Sequence, residues 1–184
     1  MKLLNLITTF VLLFPAAIKA QPSPKPADEV LKQAFQQADK ESKNVFVIFH
    51  ASWCILCRKL DGSMNDAACK NLFSDNYVIR HLVIYESKGK ENLENPGAVD
   101  LITKYKGNDL GIPYWLVFDK EGKLLADSKI RPEGGGLDTG INIGCPSSKK
   151  EVTYFLSILR KTSKLDSDQL EVIRKRFREN ESVL

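Results

Sequence analysis

Apolar residues recur every three or four positions between Ala27 and Ser42, where Val30, Leu31, Ala34, Phe35 and Ala38 share one face. This spacing predicts an amphipathic helix. Asn44 breaks the pattern, and Val45-Phe46-Val47-Ile48-Phe49 follows as an unbroken apolar run. Such a run fits a strand buried on both faces, as in a mainly parallel sheet. After two cysteines, Arg58 to Leu60 continue as a helix that Gly62 is expected to interrupt, with Asn65 or Asp66 capping a second piece through Leu72 and Phe73. Tyr77 to Tyr85 reads as the next strand. A polar stretch, Glu86 to Asn95, leads to a helix around Ala98 to Tyr105. Gly111 to Asp119 is a strand entered at Pro113, and the turn Asp119-Lys120-Glu121-Gly122 returns the chain along Lys123 to Ser128 as a hairpin. Residues 129–147 read as a glycine-rich loop. Pro146-Ser147-Ser148 starts a helix from Lys149 to Lys161, and a last helix is expected from about Ser167 to Asn180. Strands alternating with helices imply an α/β three-layer sandwich, with the terminal hairpin making the sheet mixed.

The N-terminus departs from this pattern. Met1-Lys2 gives a short basic start, Leu3 to Ala17 is almost wholly apolar, and Ile18-Lys19-Ala20 ends on a small residue. The segment predicts a secretory signal peptide over residues 1–20, with an uncleaved anchor as the alternative. No cysteine stands at the cut to take a lipid. Residues 21–27 form a proline-rich tether. The remaining chain is then expected in a periplasmic or extracellular compartment, where disulfides persist.

Composition adds bounds. The chain has 184 residues, 43% hydrophobic and 27% charged, which suits about one globular domain. Its net charge of +4 falls to +2 once Lys2 and Lys19 leave, too little to argue for nucleic acid. The basic run Arg174 to Arg178 does not alter that. Leu170, Ile173 and Phe177 recur at helical spacing on one face, and the charges cover the other.

The chemistry lies in Trp53-Cys54-Ile55-Leu56-Cys57, directly after the first strand. A Cys-x-x-Cys in βαβ patterning is a redox signature. Cys54 would stand at a helix N-terminus, where free N–H groups and the helix dipole stabilise a thiolate. Only the thiolate attacks a disulfide, so Cys54 is the expected nucleophile, and Cys57 lies one turn on to resolve the mixed disulfide. Ile112-Pro113 opens a later strand at a place where a cis peptide fits, with the Ile112 backbone free to pair with an extended peptide. Trp53 adds a flat apolar surface. Haem is excluded because Arg58, not histidine, follows Cys57. Structural zinc lacks a second close pair. A copper carrier with His50 as ligand and a purely structural Cys54–Cys57 staple stay open as lesser readings.

A strand, Trp-Cys-x-x-Cys, a helix, and a later Ile-Pro entering a hairpin together resemble the thioredoxin-like superfamily, and more closely its secreted or periplasmic members with a broken helix after the cysteines. The resemblance covers about residues 28–161, and residues 162–184 look like a helical appendage. It implies a thioredoxin-like sandwich and a thiol–disulfide oxidoreductase acting on protein disulfides with a redox partner protein. It implies no cofactor beyond the cysteine pair and no metal. In that reading Cys54 is the nucleophile, Cys57 the resolver, Pro113 the cis-proline, and Trp53, Ile112 and Pro113 contact substrate. Two departures stand out. Thioredoxin has Gly-Pro where this chain has Ile55-Leu56, and a buried acid where this chain has Ile48. With no polar side chain between the cysteines, the expected potential is reducing or intermediate. A non-catalytic peptide- or partner-binding module using the same groove is the alternative.

Three further residues bear on the site. His50 either tunes the Cys54 pKa or packs on the rim. Cys69 and Cys145 form a second disulfide or stay apart, leaving Cys69 as a buried small hydrophobe and Cys145 as an extra thiol beside the site.

Overall fold

The computed structural model describes residues 23–183. The signal-peptide expectation and the start of the tether lie outside the described residues. Helix α1 (Ala27–Glu41) leads to β1 (Asn44–His50), α2 (Ile55–Met64), a short α3 (Lys70–Ser74) and β2 (Tyr77–Val83). Next come α4 (Ala98–Lys104), β3 (Tyr114–Phe118), β4 (Leu124–Asp127), and the two-residue strands β5 (Lys129–Ile130) and β6 (Ile141–Asn142). Helices α5 (Lys149–Thr162) and α6 (Ser167–Arg178) close the fold.

The main sheet has the order β2-β1-β3-β4. β1 runs parallel to β2 and antiparallel to β3, and β3 pairs antiparallel with β4. Side chains alternate across a strand, so the unbroken apolar runs of β1 and β3 feed two cores. Phe46, Ile48, Trp115 and Val117 face α2, α3, α5 and α6. Val45, Val47, Phe49, Tyr114, Leu116 and Phe118 face α1 and α4. The result is a three-layer α/β sandwich with a mixed sheet, a hairpin and extra C-terminal helices. Both final helices begin with a reciprocal capping box, Ser148 with Glu151 and Asp166 with Gln169, which satisfies N–H groups the helix leaves open.

Helix α6 packs into the same core as α5. Leu170, Ile173 and Phe177 are buried, and the Phe177 ring centroid lies 5.0 Å from that of Phe155 and 6.1 Å from that of Phe73. Its polar face carries exposed ion pairs such as Arg174–Glu171.

Two elements differ from the sequence reading. Helix α2 runs through Gly62 to Met64, with Asn65 as its C-cap, because Ser63 and Met64 are buried and their packing outweighs the glycine's helix cost of about 1 kcal/mol. The region 129–147 is not a plain loop, since it holds the β5–β6 ribbon. That ribbon is pinned by Lys129, whose buried ammonium donates to the carbonyls of Tyr105, Lys106 and Leu137.

Candidate active site

β1, a central strand, ends at His50, and a tight turn over Ala51–Trp53 swings the chain into α2. Cys54 is the N-cap of that helix, with extended backbone at φ −73° and ψ 106°. Its Sγ accepts the Cys57 backbone N–H at 3.1 Å, as a serine or aspartate oxygen does in a typical cap. Cys54 and Cys57 are joined as a disulfide with their Cα atoms 5.3 Å apart. The structure is therefore the oxidised form. Both residues are buried, against Ala51 and Ile112.

The turn is held from outside. The Ser52 N–H and hydroxyl both donate to the Glu86 carboxylate, at 2.6 and 2.7 Å. Arg58 donates to the Ser52 carbonyl at 2.7 Å. The Trp53 indole N–H donates to the Tyr85 carbonyl at 2.8 Å, so the ring lies fixed across the rim while remaining 51% exposed. Glu86 and Tyr85 come from the segment after β2, more than thirty residues away, so no local pattern marks them.

The Ile112–Pro113 peptide is cis. The Ile112 carbonyl lies 3.6 Å from Cys54 Sγ. In the disulfide that sulfur carries no proton, so the approach is a contact; a reduced Cys54 thiol can donate across it. Trp53, Ile55, Leu56 and Ile112 with Cys54 enclose an apolar hollow of about 240 Å³. A longer groove of about 370 Å³ runs beside it past Leu56, Ile112 and Pro113 to Cys145 and Glu151.

Cys54, Cys57, Trp53, Ile112 and Pro113 thus meet at one end of the two central strands, β1 and β3. His50 is half-buried and turns to His81, with ring centroids 5.1 Å apart, and His81 in turn bonds Asp61 at 2.7 Å. Burial, with the neighbouring imidazole adding to it, holds His50 below its ordinary value. A neutral His50 brings no full positive charge to the sulfurs at pH 7. The Cys69–Cys145 bridge is not formed, and both thiols are free and buried. Cys69 sits in the core at the start of α3, and Cys145 lines the groove. Burial pushes each thiol up to about 11. Among the described residues, no group of three or more histidine, cysteine or acidic side chains is placed to hold a metal, and no helix is long and apolar enough to cross a membrane.

These environments predict a wide spread in thiol reactivity. At pH 8 a thiol with a pKa of about 11 is ionised to roughly one part in a thousand. After reduction, iodoacetamide is expected to label Cys54 at least about a hundredfold faster than Cys69 or Cys145 in the native protein. Peptide mapping of a time course checks this, and equal labelling of Cys145 and Cys54 would contradict it.

A family model described as thioredoxin-like matches residues 27–120, from α1 past the end of β3, and so takes in both the cysteine pair and the cis-proline. No curated protein matches the chain. Among solved structures the chain is similar to a disulphide isomerase from Xylella fastidiosa Temecula1, at 20% identity over 92% of this chain and 98% of that one, with a TM-score of 0.47. It is also similar to the DsbH oxidoreductase, at 20% identity over 83% and 95%, TM-score 0.43. Thioredoxin O2 from Arabidopsis thaliana is similar at 16% identity over 77% and 94%, TM-score 0.42.

Proposed function

The chain belongs to the thioredoxin-like family, with the Cys-x-x-Cys pair of its thiol–disulfide oxidoreductases, and from that premise we propose that it acts on protein disulfides outside the cytoplasm, reducing them or exchanging them. The observation that carries this reading is the position of Cys54. It caps α2, receives the Cys57 N–H, and faces the Ile112 carbonyl at the mouth of an apolar hollow.

The mechanism begins from the reduced form. The Cys54 thiolate, stabilised by the helix N-terminus, attacks one sulfur of a substrate disulfide. The substrate S–S bond breaks, a mixed disulfide with Cys54 forms, and the first substrate thiolate leaves. Cys57, one turn on, then attacks Cys54 Sγ. That step releases the second substrate thiolate and leaves the Cys54–Cys57 disulfide of the present structure. A redox partner protein returns two electrons to the pair. No further cofactor enters. Trp53, Ile112 and Pro113 hold the substrate chain beside the sulfurs, and the Ile112 backbone pairs with it as a short strand does.

Electron direction follows from what surrounds the pair. Ile55 and Leu56 offer no charged or polar group to stabilise a thiolate, which leaves the helix terminus, with Arg58 and Lys59 contributing at most weakly. A reducing or intermediate potential is the expected result. The extracytoplasmic setting rests on the apolar stretch from Leu3 to Ala17 behind Lys2.

Cys57→Ser tests the mechanism. The variant keeps the attacking thiol and loses the resolving one, so incubation with a disulfide-bonded peptide is expected to leave a mixed disulfide on Cys54, visible as an added peptide mass that dithiothreitol removes. An unmodified protein, together with a potential of the wild-type pair below about −300 mV, would instead match a structural bridge in a binding module.

A further inference from the structure

The cis-proline loop is held in place by a residue far from it in the chain. Asn142, on β6, points its side-chain amide at the loop. Its Nδ2 donates to the carbonyls of Leu110 at 3.2 Å, Gly111 at 3.1 Å and Pro113 at 3.1 Å, two protons shared among three acceptors. Its Oδ1 accepts the Gly144 N–H at 3.0 Å. The amide orientation is fixed by these partners, because three carbonyls can only accept and one N–H can only donate. Asparagine is the side chain of this length that supplies both functions. Aspartate lacks the donor, leucine lacks both, and glutamine is one carbon too long.

The same residue belongs to one wall of the 370 Å³ groove and reaches across to the other. One wall is Leu110–Pro113, and the other is Asn142–Cys145. The second wall is itself anchored, since the Trp115 indole donates to the Gly144 carbonyl at 3.0 Å and the Ile143 N–H donates to the Ser128 carbonyl at 2.8 Å. Gly144 packs so closely that an added Cβ would meet the Pro113 carbonyl oxygen at 3.0 Å. Asn142 therefore couples the spacing of the walls to a rigid core contact, and it does so from beyond the segment that the family model matches.

We infer that Asn142 is a positioning residue that sets the peptide-binding groove of this protein, holding the Ile112–Pro113 loop at the separation at which an extended substrate chain fits. The inference rests on the proposed disulfide chemistry and deepens it. Asn142 does not touch the sulfurs. Its loss is expected to weaken binding of a polypeptide disulfide and leave the chemistry of the cysteine pair unaltered.

The test compares wild type with Asn142→Ala and Asn142→Asp, using dithiothreitol as reductant and either insulin or hydroxyethyl disulfide as substrate. For insulin, KM is expected to rise about tenfold in Asn142→Ala with kcat within about twofold, the signature of lost ground-state binding. Asn142→Asp turns a carboxylate toward three carbonyls and should do at least as much. The rate with hydroxyethyl disulfide, which is too small to use the groove, and the equilibrium of the Cys54–Cys57 pair with glutathione should stay within about twofold of wild type. If the alanine variant does not fold, Asn142→Ser, which keeps one donor, is read on the same axes with a smaller expected rise. An unchanged insulin KM, or equal losses on both substrates, overturns the role of Asn142 while the functional reading stands. A wild-type protein that turns over neither disulfide overturns both.

Discussion

Replacing Cys54 with serine is expected to bring dithiol-dependent reduction of insulin down to the uncatalysed background, a loss on the order of a thousandfold or more. The reasoning separates chemistry from folding. In the proposed mechanism Cys54 has two tasks, nucleophile and N-cap, and serine can perform only the second. A serine oxygen accepts the Cys57 N–H that Sγ now accepts at 3.1 Å, so the start of α2 is preserved. A serine hydroxyl is not ionised near neutral pH and forms no disulfide, so both the attack and the stored oxidised state vanish. Stability is best compared with reduced wild type, which also lacks the Cys54–Cys57 link. Thermal melts of the two should coincide within a few degrees. Residual turnover above a few per cent of wild type would mean that another thiol attacks. Cys145 is the one in the groove, and with its thiol pushed up to about 11 it is poorly suited to that task at neutral pH. A variant lacking Cys54 and Cys145 together would then identify it.

Much of this site is legible in the sequence because its main parts are local. Cys54 and Cys57 are three residues apart and follow a strand that advertises itself by an unbroken apolar run. The run is unbroken because β1 is covered on both faces, and β3 reads the same way for the same reason. Pro113 is visible because it opens a strand, a place where a cis peptide fits. What stays hidden is assembled across distance. The carboxylate of Glu86 reaches Ser52 across 34 positions, and Asn142 reaches the cis-proline loop across 29 to 32. Neither leaves a periodicity to detect. The β5–β6 ribbon is hidden for a different reason, since two-residue strands in a glycine-rich stretch are too short to show alternation. Lys129 misleads further, because a lysine in sequence suggests surface. Here its buried ammonium is satisfied by three carbonyls brought from two other loops. The end of α2 is likewise decided by packing: Gly62 signals a break, but the burial of Ser63 and Met64 carries the helix past it.

Phe177→Ala is expected to destabilise the protein by about 3–5 kcal/mol, the usual cost of deleting a buried phenylalanine side chain. A free energy of unfolding of about 5–15 kcal/mol is ordinary for a domain, so this one change would remove a large part of it. The expectation follows from where α6 lies. Phe177 is fully buried, and with Phe73 on α3 and Phe155 on α5 it forms a three-ring cluster beneath the sheet. The chain just beyond Phe177 also reaches the site's supports. Asn180 exchanges hydrogen bonds with the Ser63 hydroxyl of α2 at 3.0–3.1 Å and donates to the Pro146 carbonyl at 3.3 Å. Lys59, also on α2, donates to the Asn180 carbonyl at 3.3 Å. The helix that carries Cys57 is thereby tied to the segment that follows Cys145. If α6 were an appendage on an independently folded body, Phe177→Ala would cost less than about 1 kcal/mol and truncation before Ser167 would leave a cooperative melt. If it belongs to the core, the variant melts far lower with an unchanged denaturant slope, and truncation abolishes the transition. Arg174→Ala supplies the control, since it removes only an exposed pair with Glu171 and should shift stability by no more than about 0.5 kcal/mol. A large effect at Phe177 beside a small one at Arg174 would place the stabilising contribution of α6 in its buried apolar face and not in exposed ion pairs such as Arg174–Glu171.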